Sequence, residues 1–507
     1  MPATVTTCAL LGIEAHWVQV EVDVASGLPQ TSTVGLPDHA VREGKDRVRA
    51  ALRNSGYVLP PKRVTINLAP AHLRKQGSAY DLPIAIAILA ATGHTEAAPL
   101  SNVVIAGELA LDGALRPIRG ALSIAVAALA AGQTHVLLPH ANAAEAALVD
   151  GITVLGVHSL REAVETLVGR HVPDAPSAPT EPATSATPVP DLADVAGQEP
   201  AKRALEVAAA GGHNLLLIGS PGVGKSMLAR RVTGILPELA LAEALEVTRV
   251  HSAAGTLGRQ PLIRTPPFRA PHHTVSAAGL FGGGGSVPQP GELALAHHGV
   301  LFLDELPEFR RDVLEGLRQP LESDVFTVVR VGWRATYPTR VMLVAAMNPC
   351  PCGHLGDPRH ACRCTPHQLA HYATRVSGPL LDRIDLHVNV AAVRSNDLSG
   401  ARTGEPSAAI RTRIVRARAR QTARFGADRS ITNARMSDRL LHTHAQPDDA
   451  GRQLLERAMT RLGLSARAYT RILKVARTIA DLAERDAISA PDVAEAIQYR
   501  CLDRPPG

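Results

Sequence analysis

One stretch decides the fold: Gly219-Ser220-Pro221-Gly222-Val223-Gly224-Lys225-Ser226, which matches the phosphate-binding pattern G-x-x-x-x-G-K-[ST] in full. The apolar run Leu215–Ile218 before it predicts a buried parallel strand, and Met227–Val232 after it has the composition of an opening helix. In that context the glycines let successive backbone N–H groups turn toward a phosphate, and the helix N-terminus adds positive potential. The stretch therefore predicts a site for a nucleoside triphosphate.

The side chains of this loop have separate predicted roles. Lys225 is expected to reach the outer phosphates, and the Ser226 hydroxyl is expected to coordinate Mg²⁺. The rest of the binding set cradles phosphate through the loop: Gly219, Ser220, Pro221, Gly222, Val223 and Gly224. ATP and Mg²⁺ are therefore the expected cofactors.

An acidic motif follows further along the chain. Val300–Leu303 predicts a buried strand, and it ends in Asp304 and Glu305. Such a strand is common by itself, but after a complete phosphate-binding loop it predicts a Walker B motif. Asp304 is expected to hold Mg²⁺ through water, and Glu305 to orient and deprotonate the attacking water. The pair therefore predicts ATP hydrolysis.

Composition limits the class of protein. The chain has 507 residues, 45% of them hydrophobic, which suits two to four globular domains. Its net charge of +6 suits an acidic partner such as nucleic acid, although an arginine-rich composition also reflects the genome. The N-terminal residues lack the pattern of a signal peptide, and the longest apolar runs are too short to cross a bilayer. We expect a cytoplasmic protein with no membrane partner.

Residues 1–168 are expected to form an α/β domain of their own. Val18–Val24 alternates apolar and polar residues as a strand does, and Val64–Leu68 repeats the pattern. Asp38–Asn54 predicts an amphipathic helix, and Gly120–Ala131 an alanine-rich one. Further strands are predicted at Val103–Ala106 and Val136–Leu138.

Three motifs of this first domain carry a family resemblance: Gly77–Ala85, Gly107–Leu109 and Leu115–Gly120. Together they resemble the Lon-protease fold. Active proteases of that fold use a Ser–Lys dyad, and the alignment places Ala79 at or beside the serine position, one residue from Ser78. Where the lysine should follow, this chain has Ala121–Ile124. Because a serine without a base is a poor nucleophile, we expect the fold without peptidase activity.

The remaining chain resembles an AAA+ ATPase. Residues 169–190 are rich in Pro, Ala, Ser and Thr and predict a linker. The expected ATPase core spans 191–395, and its first residues resemble the segment that precedes the phosphate-binding loop in AAA+ proteins. A helical lid is expected at 396–507. Val341–Asn348 resembles the sensor-1 strand, which implies that Asn348 positions the attacking water. The overall fold class is therefore α/β.

Two arginines complete the expected catalytic set. Gly378–Asp385 resembles the arginine-finger segment of magnesium chelatases and MCM helicases, which implies that Arg383 reaches the ATP of a neighbouring subunit. The alternative is an arginine paired with Asp382 or Asp385 within one helix. Arg467 lies where these families carry the sensor-2 arginine.

A long segment separates the two nucleotide motifs. Pro266–His273 and Gly279–Gly285 predict neither helix nor strand. The arrangement resembles the insertion in the magnesium-chelatase and MCM branch, whose loops project toward the pore of a ring. The paired histidines lack the i,i+4 spacing of helical metal ligands, so metal binding is not expected there.

Two basic elements are candidates for nucleic-acid contact. Val325–Pro338 predicts a hairpin on which Arg330, Trp333 and Arg334 would grip phosphates and stack on bases, or would simply be solvated. Ile410–Arg420 predicts a helix with arginine on several faces, which contacts either nucleic acid or an acidic neighbour.

Four cysteines form a compact cluster in the sequence. The cluster consists of two C-x-C pairs, Cys350 with Cys352 and Cys362 with Cys364, separated by nine residues. Four such thiolates can close one tetrahedral, structural Zn²⁺ site. The usual spacing is C-x-x-C, so reduced cysteines without metal are the alternative. His354 or His367 could replace one thiolate.

Together these motifs resemble the ComM/YifB family over nearly the whole chain. The resemblance implies a homo-oligomeric, hexameric ring that uses ATP to migrate DNA branches in transformation or recombination, with DNA as the partner. The alternative is a chelatase-type remodeller that works with protein partners. Stimulation of ATP hydrolysis by DNA, or by such proteins, would discriminate the two.

Overall fold

The computed structural model describes most of the chain, with several gaps. The described residues are 2–95, 98–175, 190–258, 260–284, 288–330, 333–357, 359–392, 404–426 and 431–503. Residues 176–189 of the predicted linker therefore lie outside them.

The N-terminal part is built on a seven-stranded mixed sheet. In spatial order its strands are Gln30–Val34, Arg63–Ala69, Glu14–Ala25, Ala3–Leu11, Val103–Ile105, His135–Pro139 and Thr153–Val157. Its helices are His39–Asn54, Asp81–Ala91, Ala121–Ala130, His140–Ala146 and Leu160–Leu167. A short ribbon pairs Glu108–Leu109 with Leu115–Arg116. Val18, Val20 and Val22 are buried on one face of their strand, as the alternating pattern predicts.

The predicted amphipathic helix is confirmed, and its start has a clear cause. The Asp38 side chain accepts a hydrogen bond from the Val41 N–H at 2.9 Å, which caps the helix. Val41, Val48 and Leu52 are buried on the inner side.

The central part is built on a five-stranded parallel sheet. In spatial order its strands are Phe268–Arg269, Val300–Leu303, Met342–Met347, Leu215–Ile218 and Leu386–Asn389. The helices around it are Glu199–Gly211, Lys225–Ile235, Leu241–Ala254, Ala277–Phe281, Glu292–Leu295, Arg311–Gly316, Pro320–Ser323, Pro366–Ala373 and Gly378–Leu381. The carboxyl ends of these parallel strands meet at one edge of the sheet, where ligands of such folds bind.

The expectation that Pro266–His273 and Gly279–Gly285 contain no regular structure was wrong. Phe268–Arg269 pairs in parallel with Val300–Leu301 as an edge strand. An edge strand needs hydrogen bonds on one side alone, so the prolines around it are tolerated there. Gly282–Gly283 pairs with Gln289–Pro290 in a small antiparallel ribbon.

The predicted hairpin is confirmed. Val325–Arg330 pairs antiparallel with Trp333–Pro338. Its base packs against the short helix Ala277–Phe281, where the rings of Phe281 and Phe326 stack at 4.8 Å. The hairpin is therefore attached to the insertion that precedes the Walker B strand.

The C-terminal part is helical, as predicted. Its helices are Ser407–Phe425, Asp438–His444, Asp449–Leu462, Ala466–Leu482 and Ala490–Gln498. They share one hydrophobic core with the central sheet, in which Ile410, Ile414 and Ile472 pack with Leu215 and Leu217. Among the described helices, none combines the length and apolarity that a bilayer span requires.

The arginine-rich helix Ser407–Phe425 has acidic neighbours within the chain, although arginines such as Arg416 are also exposed to solvent. Its arginines pair within the chain: Arg413 with Glu206 and Glu405, Arg416 with Glu484, Arg420 with Asp486, and Arg424 with Asp481. Arg411 and Arg418 donate to backbone carbonyl groups. The structure therefore shows the acidic neighbours that the second of the two sequence-based alternatives expected.

The N-terminal part contacts the central part through the helices Ala121–Ala130 and Leu241–Ala254. Ser123 is fully buried and donates to the Ile13 carbonyl at 2.6 Å. Arg249 of the second helix donates to the same carbonyl at 3.2 Å. Ser123 thus has a packing role at the junction.

Candidate active site

The phosphate-binding loop has the backbone that its glycines predict. Gly222 and Gly224 adopt φ values of +77° and +95°, in the left-handed region that favours glycine. A Cβ atom on Gly219 would lie 2.5 Å from the Val390 carbonyl oxygen, so this position also requires glycine. The helix begins at Lys225, directly after the loop.

Lys225 connects the loop to the predicted sensor residue. Its ammonium donates to the carbonyl oxygens of Gly219 at 2.6 Å and Ser220 at 3.0 Å, and to Asn348 Oδ1 at 3.0 Å. Burial lowers the pKa of Lys225, while the charges of Asp304 and Glu305 oppose that shift. The lysine therefore lies where phosphate would meet both the loop and Asn348.

Ser226 and Asp304 form the oxygen-rich pair that a magnesium site needs. The Ser226 hydroxyl donates to Asp304 Oδ2 at 2.5 Å, and the Glu305 backbone N–H donates to Asp304 Oδ1 at 2.9 Å. A hydroxyl and a carboxylate are hard ligands of the kind that Mg²⁺ prefers, and Mg²⁺ takes its other ligands from water and phosphate. These residues fit the metal.

Glu305 faces the same cleft from a constrained backbone position. Its φ is +53°, and its side chain is 57% exposed. His273 Nδ1 lies 3.1 Å from Glu305 Oε2, which orients the carboxylate. Sequence reasoning considered this histidine only as a metal ligand and missed its contact with Glu305, because the strand that places it could not be seen in a proline-rich segment.

The predicted residues converge on one cavity of about 350 Å³. Its lining includes Lys225, Ser226, Asp304, Glu305 and Asn348. Lys225 and Asn348 follow different strands of the sheet, so the fold brings them together although they are far apart in the sequence.

The two predicted arginines lie apart from this cavity. Arg383 is 9% exposed and donates to the Arg318 and Pro379 carbonyl oxygens, and it pairs with Glu322 at 2.6 Å. Arg467 is largely exposed and donates to Asp382 Oδ2 at 3.2 Å. Arg383 thus has an intramolecular partner, but not the neighbouring aspartates that the sequence suggested.

A buried polar network joins the central sheet to the C-terminal helices, and sequence reasoning missed it. Asp385 lies 2.6 Å from Arg471 Nη1 and 3.2 Å from His213 Nδ1, and His213 Nε2 lies 2.8 Å from Thr478 Oγ1. Burial would raise the pKa of Asp385, but Arg471 and the hydrogen bond from His213 hold it well below its usual range. Asp385 therefore stays ionised in the core.

The four cysteines form a compact cluster with the geometry of a tetrahedral site. The Sγ atoms of Cys350 and Cys352 are 3.4 Å apart, and Cys362 lies 3.7 and 3.6 Å from them. Four thiolates about 2.3 Å from a Zn²⁺ ion would be about 3.8 Å apart. With Cys364, all four sulfur atoms lie within 4.8 Å of one another.

Backbone N–H groups favour the thiolate at Cys352, whereas the neighbouring thiols raise the pKa of Cys362 and Cys364. The Arg363 and His354 N–H groups lower the pKa of Cys352 to about 6, and the Leu355 N–H donates to Cys350 Sγ at 3.3 Å. His354 instead lies 3.5 Å from Asp357, so four thiols complete the donor set without it. The residues fit Zn²⁺.

Another group of metal-ligating residue types has a different explanation. His297 and His298 each place Nε2 2.9 Å from Glu246 Oε2. The Arg340 backbone N–H donates to His297 Nδ1 at 3.0 Å, so the neutral ring carries its proton on Nε2 and donates it to Glu246. A protonated nitrogen cannot ligate a metal, and this cluster is a structural hydrogen-bond network.

The predicted nucleic-acid residues lie at the tip of the hairpin. Arg330 and Arg334 are exposed, and Trp333 is half-buried against the hairpin base. Arg330 pairs opposite Trp333, whereas Arg334 pairs opposite Val329 on the other face. The two arginines therefore flank the tip from both faces instead of forming one patch.

Family models match three parts of the chain. One described as magnesium chelatase, subunit ChlI, matches residues 191–398. The model for subunit ChlI of Mg-chelatase matches 20–142, and the model for the C-terminal part of magnesium chelatase subunit ChlI matches 404–500.

Individual relatives identify the family more narrowly than the family models do. YifB of Escherichia coli is 45% identical over 501 residues, covering 99% of this chain and 97% of YifB. The competence protein ComM of Haemophilus influenzae is 43% identical over 507 residues, covering 99% and 98%. The magnesium-chelatase 38 kDa subunit of Rhodobacter capsulatus is 27% identical over 219 residues, 40% of this chain and 59% of that protein. The chain therefore belongs to the ComM/YifB family of magnesium-chelatase-like AAA+ proteins.

Proposed function

We propose that this protein is an ATP-driven motor that hydrolyses ATP in the cavity around Lys225. The observation that carries the proposal is the convergence of Lys225, Ser226, Asp304, Glu305 and Asn348 on that cavity, at the carboxyl edge of a parallel sheet. Family membership points the same way, because AAA+ proteins are ATPases.

The proposed mechanism assigns one task to each residue. Lys225 exchanges its carbonyl partners for the outer phosphates, and the loop N–H groups hold the phosphates in place. Ser226 and, through water, Asp304 would hold Mg²⁺, which would neutralise charge on the phosphates. Glu305 accepts a proton from the attacking water, and Asn348 orients that water next to Lys225.

The proposed assembly is a homo-oligomeric ring, with six subunits as the family expectation. In that ring Arg383 leaves Glu322 and reaches the nucleotide of the neighbouring subunit, while Arg467 acts as sensor 2. An arginine supplied in trans stabilises transition-state charge and accelerates hydrolysis by about 10³-fold or more.

DNA is the proposed partner, and branch migration in transformation or recombination is the proposed task. Support comes from the exposed arginines at the hairpin tip and from the relationship to a protein named for competence. The alternative is a remodeller of protein partners, which the likeness to a magnesium-chelatase subunit favours.

Further assignments belong to this proposal. Residues 1–168 have a Lon-like fold without the catalytic dyad, 169–190 are a linker, 191–395 form the ATPase core and 396–507 the lid. Cys350, Cys352, Cys362 and Cys364 hold a structural Zn²⁺ ion. A cytoplasmic location suits four cysteines that are free thiols.

The test compares ATP hydrolysis alone, with single-stranded or branched DNA, and with candidate protein partners. The motor proposal predicts that DNA raises the rate, and that stimulation falls steeply between roughly 50 and 200 mM salt as phosphate contacts release counterions. Stimulation by a protein partner but by no DNA would replace the DNA proposal with the remodeller.

A further inference from the structure

The cysteine cluster lies directly against the phosphate-binding loop. Gly353, between the two cysteine pairs, has φ +82°, and a Cβ atom on it would lie 2.5 Å from Pro221 Cδ. The turn within the cluster therefore packs on the loop with no room for a side chain.

A carboxylate makes a second connection. Asp357 is 6% exposed and accepts a hydrogen bond from the Arg359 backbone N–H at 2.8 Å, and its interaction with the Ser220 side chain of the loop helps to lower its pKa. His354 and His360 each lie 3.5 Å from the same carboxylate. Asp357 thus ties the segment between the cysteine pairs to the loop.

The residues that flank the cluster also contact the phosphate-binding site through Asn348. Asn348 lies two residues before Cys350 and accepts from Lys225 Nζ at 3.0 Å. After the cluster, Tyr372 donates its hydroxyl hydrogen to the Asn348 carbonyl oxygen at 3.2 Å. The chain on both sides of the four thiols therefore holds the sensor residue against the phosphate-binding lysine.

The described part of this segment has no secondary structure to hold its shape. The strand before it ends at Met347 and the helix after it begins at Pro366, with neither helix nor strand among the described residues between them. Its conformation therefore depends on side-chain contacts, among them those of the four thiols and of Asp357.

We propose that the metal held by the four cysteines positions Ser220, Pro221 and Asn348 for nucleotide binding, so that metal occupancy and nucleotide affinity are coupled. This inference rests on the zinc site assigned above. Coupling between two ligands is reciprocal for affinities and typically amounts to about 5–150-fold. Bound nucleotide therefore tightens zinc binding by the same factor by which zinc tightens nucleotide binding.

The experiment measures zinc affinity rather than catalysis. The full-length protein, with its zinc content determined by elemental analysis, is titrated with the chelator 4-(2-pyridylazo)resorcinol, with and without saturating ADP. We expect ADP to tighten zinc binding by about fivefold or more. An unchanged zinc affinity, with ADP binding verified by a fluorescent analogue, would overturn the coupling while leaving the zinc site intact. Absence of zinc from freshly purified protein would overturn the zinc site and the coupling together.

One variant isolates the connection from the metal site. Asp357→Asn keeps all four thiols, so the protein should retain one zinc per chain, but the effect of ADP on zinc affinity should shrink at least twofold relative to wild type. The control is Asp312→Asn, an exposed carboxylate paired with Arg310 and outside the cluster, which should keep the wild-type coupling. Equal coupling in Asp357→Asn and wild type would contradict the assigned path through Asp357.

Discussion

Changing Glu305 to Gln removes the proposed general base while keeping the size of the side chain. The carboxylate is 57% exposed and pairs with His273, so its loss disturbs no packed core. Lys225 and Ser226 keep their partners, and nucleotide affinity should stay within about twofold of wild type. Loss of a positioned base typically costs about 10²–10⁴-fold in rate, or ~3–5 kcal/mol of activation free energy.

The assay pairs steady-state ATP hydrolysis with titration of a fluorescent ATP analogue. Glu308→Gln is the matched control, since this side chain lies three residues away, is 47% exposed and pairs with Arg375. It should retain turnover within about twofold, as surface ion pairs contribute little. Lys225→Ala should instead weaken binding itself. Equal turnover by Glu305→Gln and wild type would refute the assignment of Glu305.

Two other predictions concern stability and charge. Asp385→Asn should lower the free energy of unfolding by about 3 kcal/mol, because it breaks the buried pair with Arg471. Because the folded-state pKa of Asp385 is depressed, its contribution to stability is present above the unfolded pKa of about 4 and is lost as the pH falls below that value. The difference in unfolding free energy between variant and wild type, measured by denaturant titration, should therefore shrink in acid. A difference that stays constant with pH would contradict the ion pair. Arg330→Gln and Arg334→Gln should each reduce the slope of log DNA affinity against log salt concentration by about one. The control Arg452→Gln, at an exposed arginine outside the hairpin, should leave this slope unchanged. Equal slopes for all three variants would remove the hairpin from the DNA interface.

The loop 219–226 with its following helix and the strands Val300–Leu303 and Met342–Met347 could be predicted because each is a local pattern. A four-residue apolar run such as Leu215–Ile218 must be buried on both faces, and a polar group that follows it must lie at the sheet edge. Their assembly into one cavity follows from the parallel order of the strands. The hairpin Val325–Pro338 could also be predicted, because its residues alternate between apolar and polar as those of a strand do.

Features set by distant partners could not be predicted. The arginines of Ser407–Phe425 lack acidic residues at helical spacing, and their partners, such as Glu206 and Asp481, come from other elements. His273 reaches Glu305 only because a short edge strand pairs with the Walker B strand. The spacing of the cysteines was visible, but their contact with the phosphate-binding loop through Gly353 was not.

The most direct test of the central claim, a catalytic site completed between subunits of a ring, mixes two inactive variants. Arg383→Ala subunits carry an intact Lys225, and Lys225→Ala subunits carry an intact Arg383. If subunits fill a ring at random from an equal mixture, about one quarter of the interfaces join an intact Lys225 to an intact Arg383. We predict that ATP hydrolysis, absent from each variant alone, returns in the mixture to about a quarter of the wild-type rate. No recovery, with mixed rings verified by mass, would contradict the account and leave Arg383 as a structural partner of Glu322.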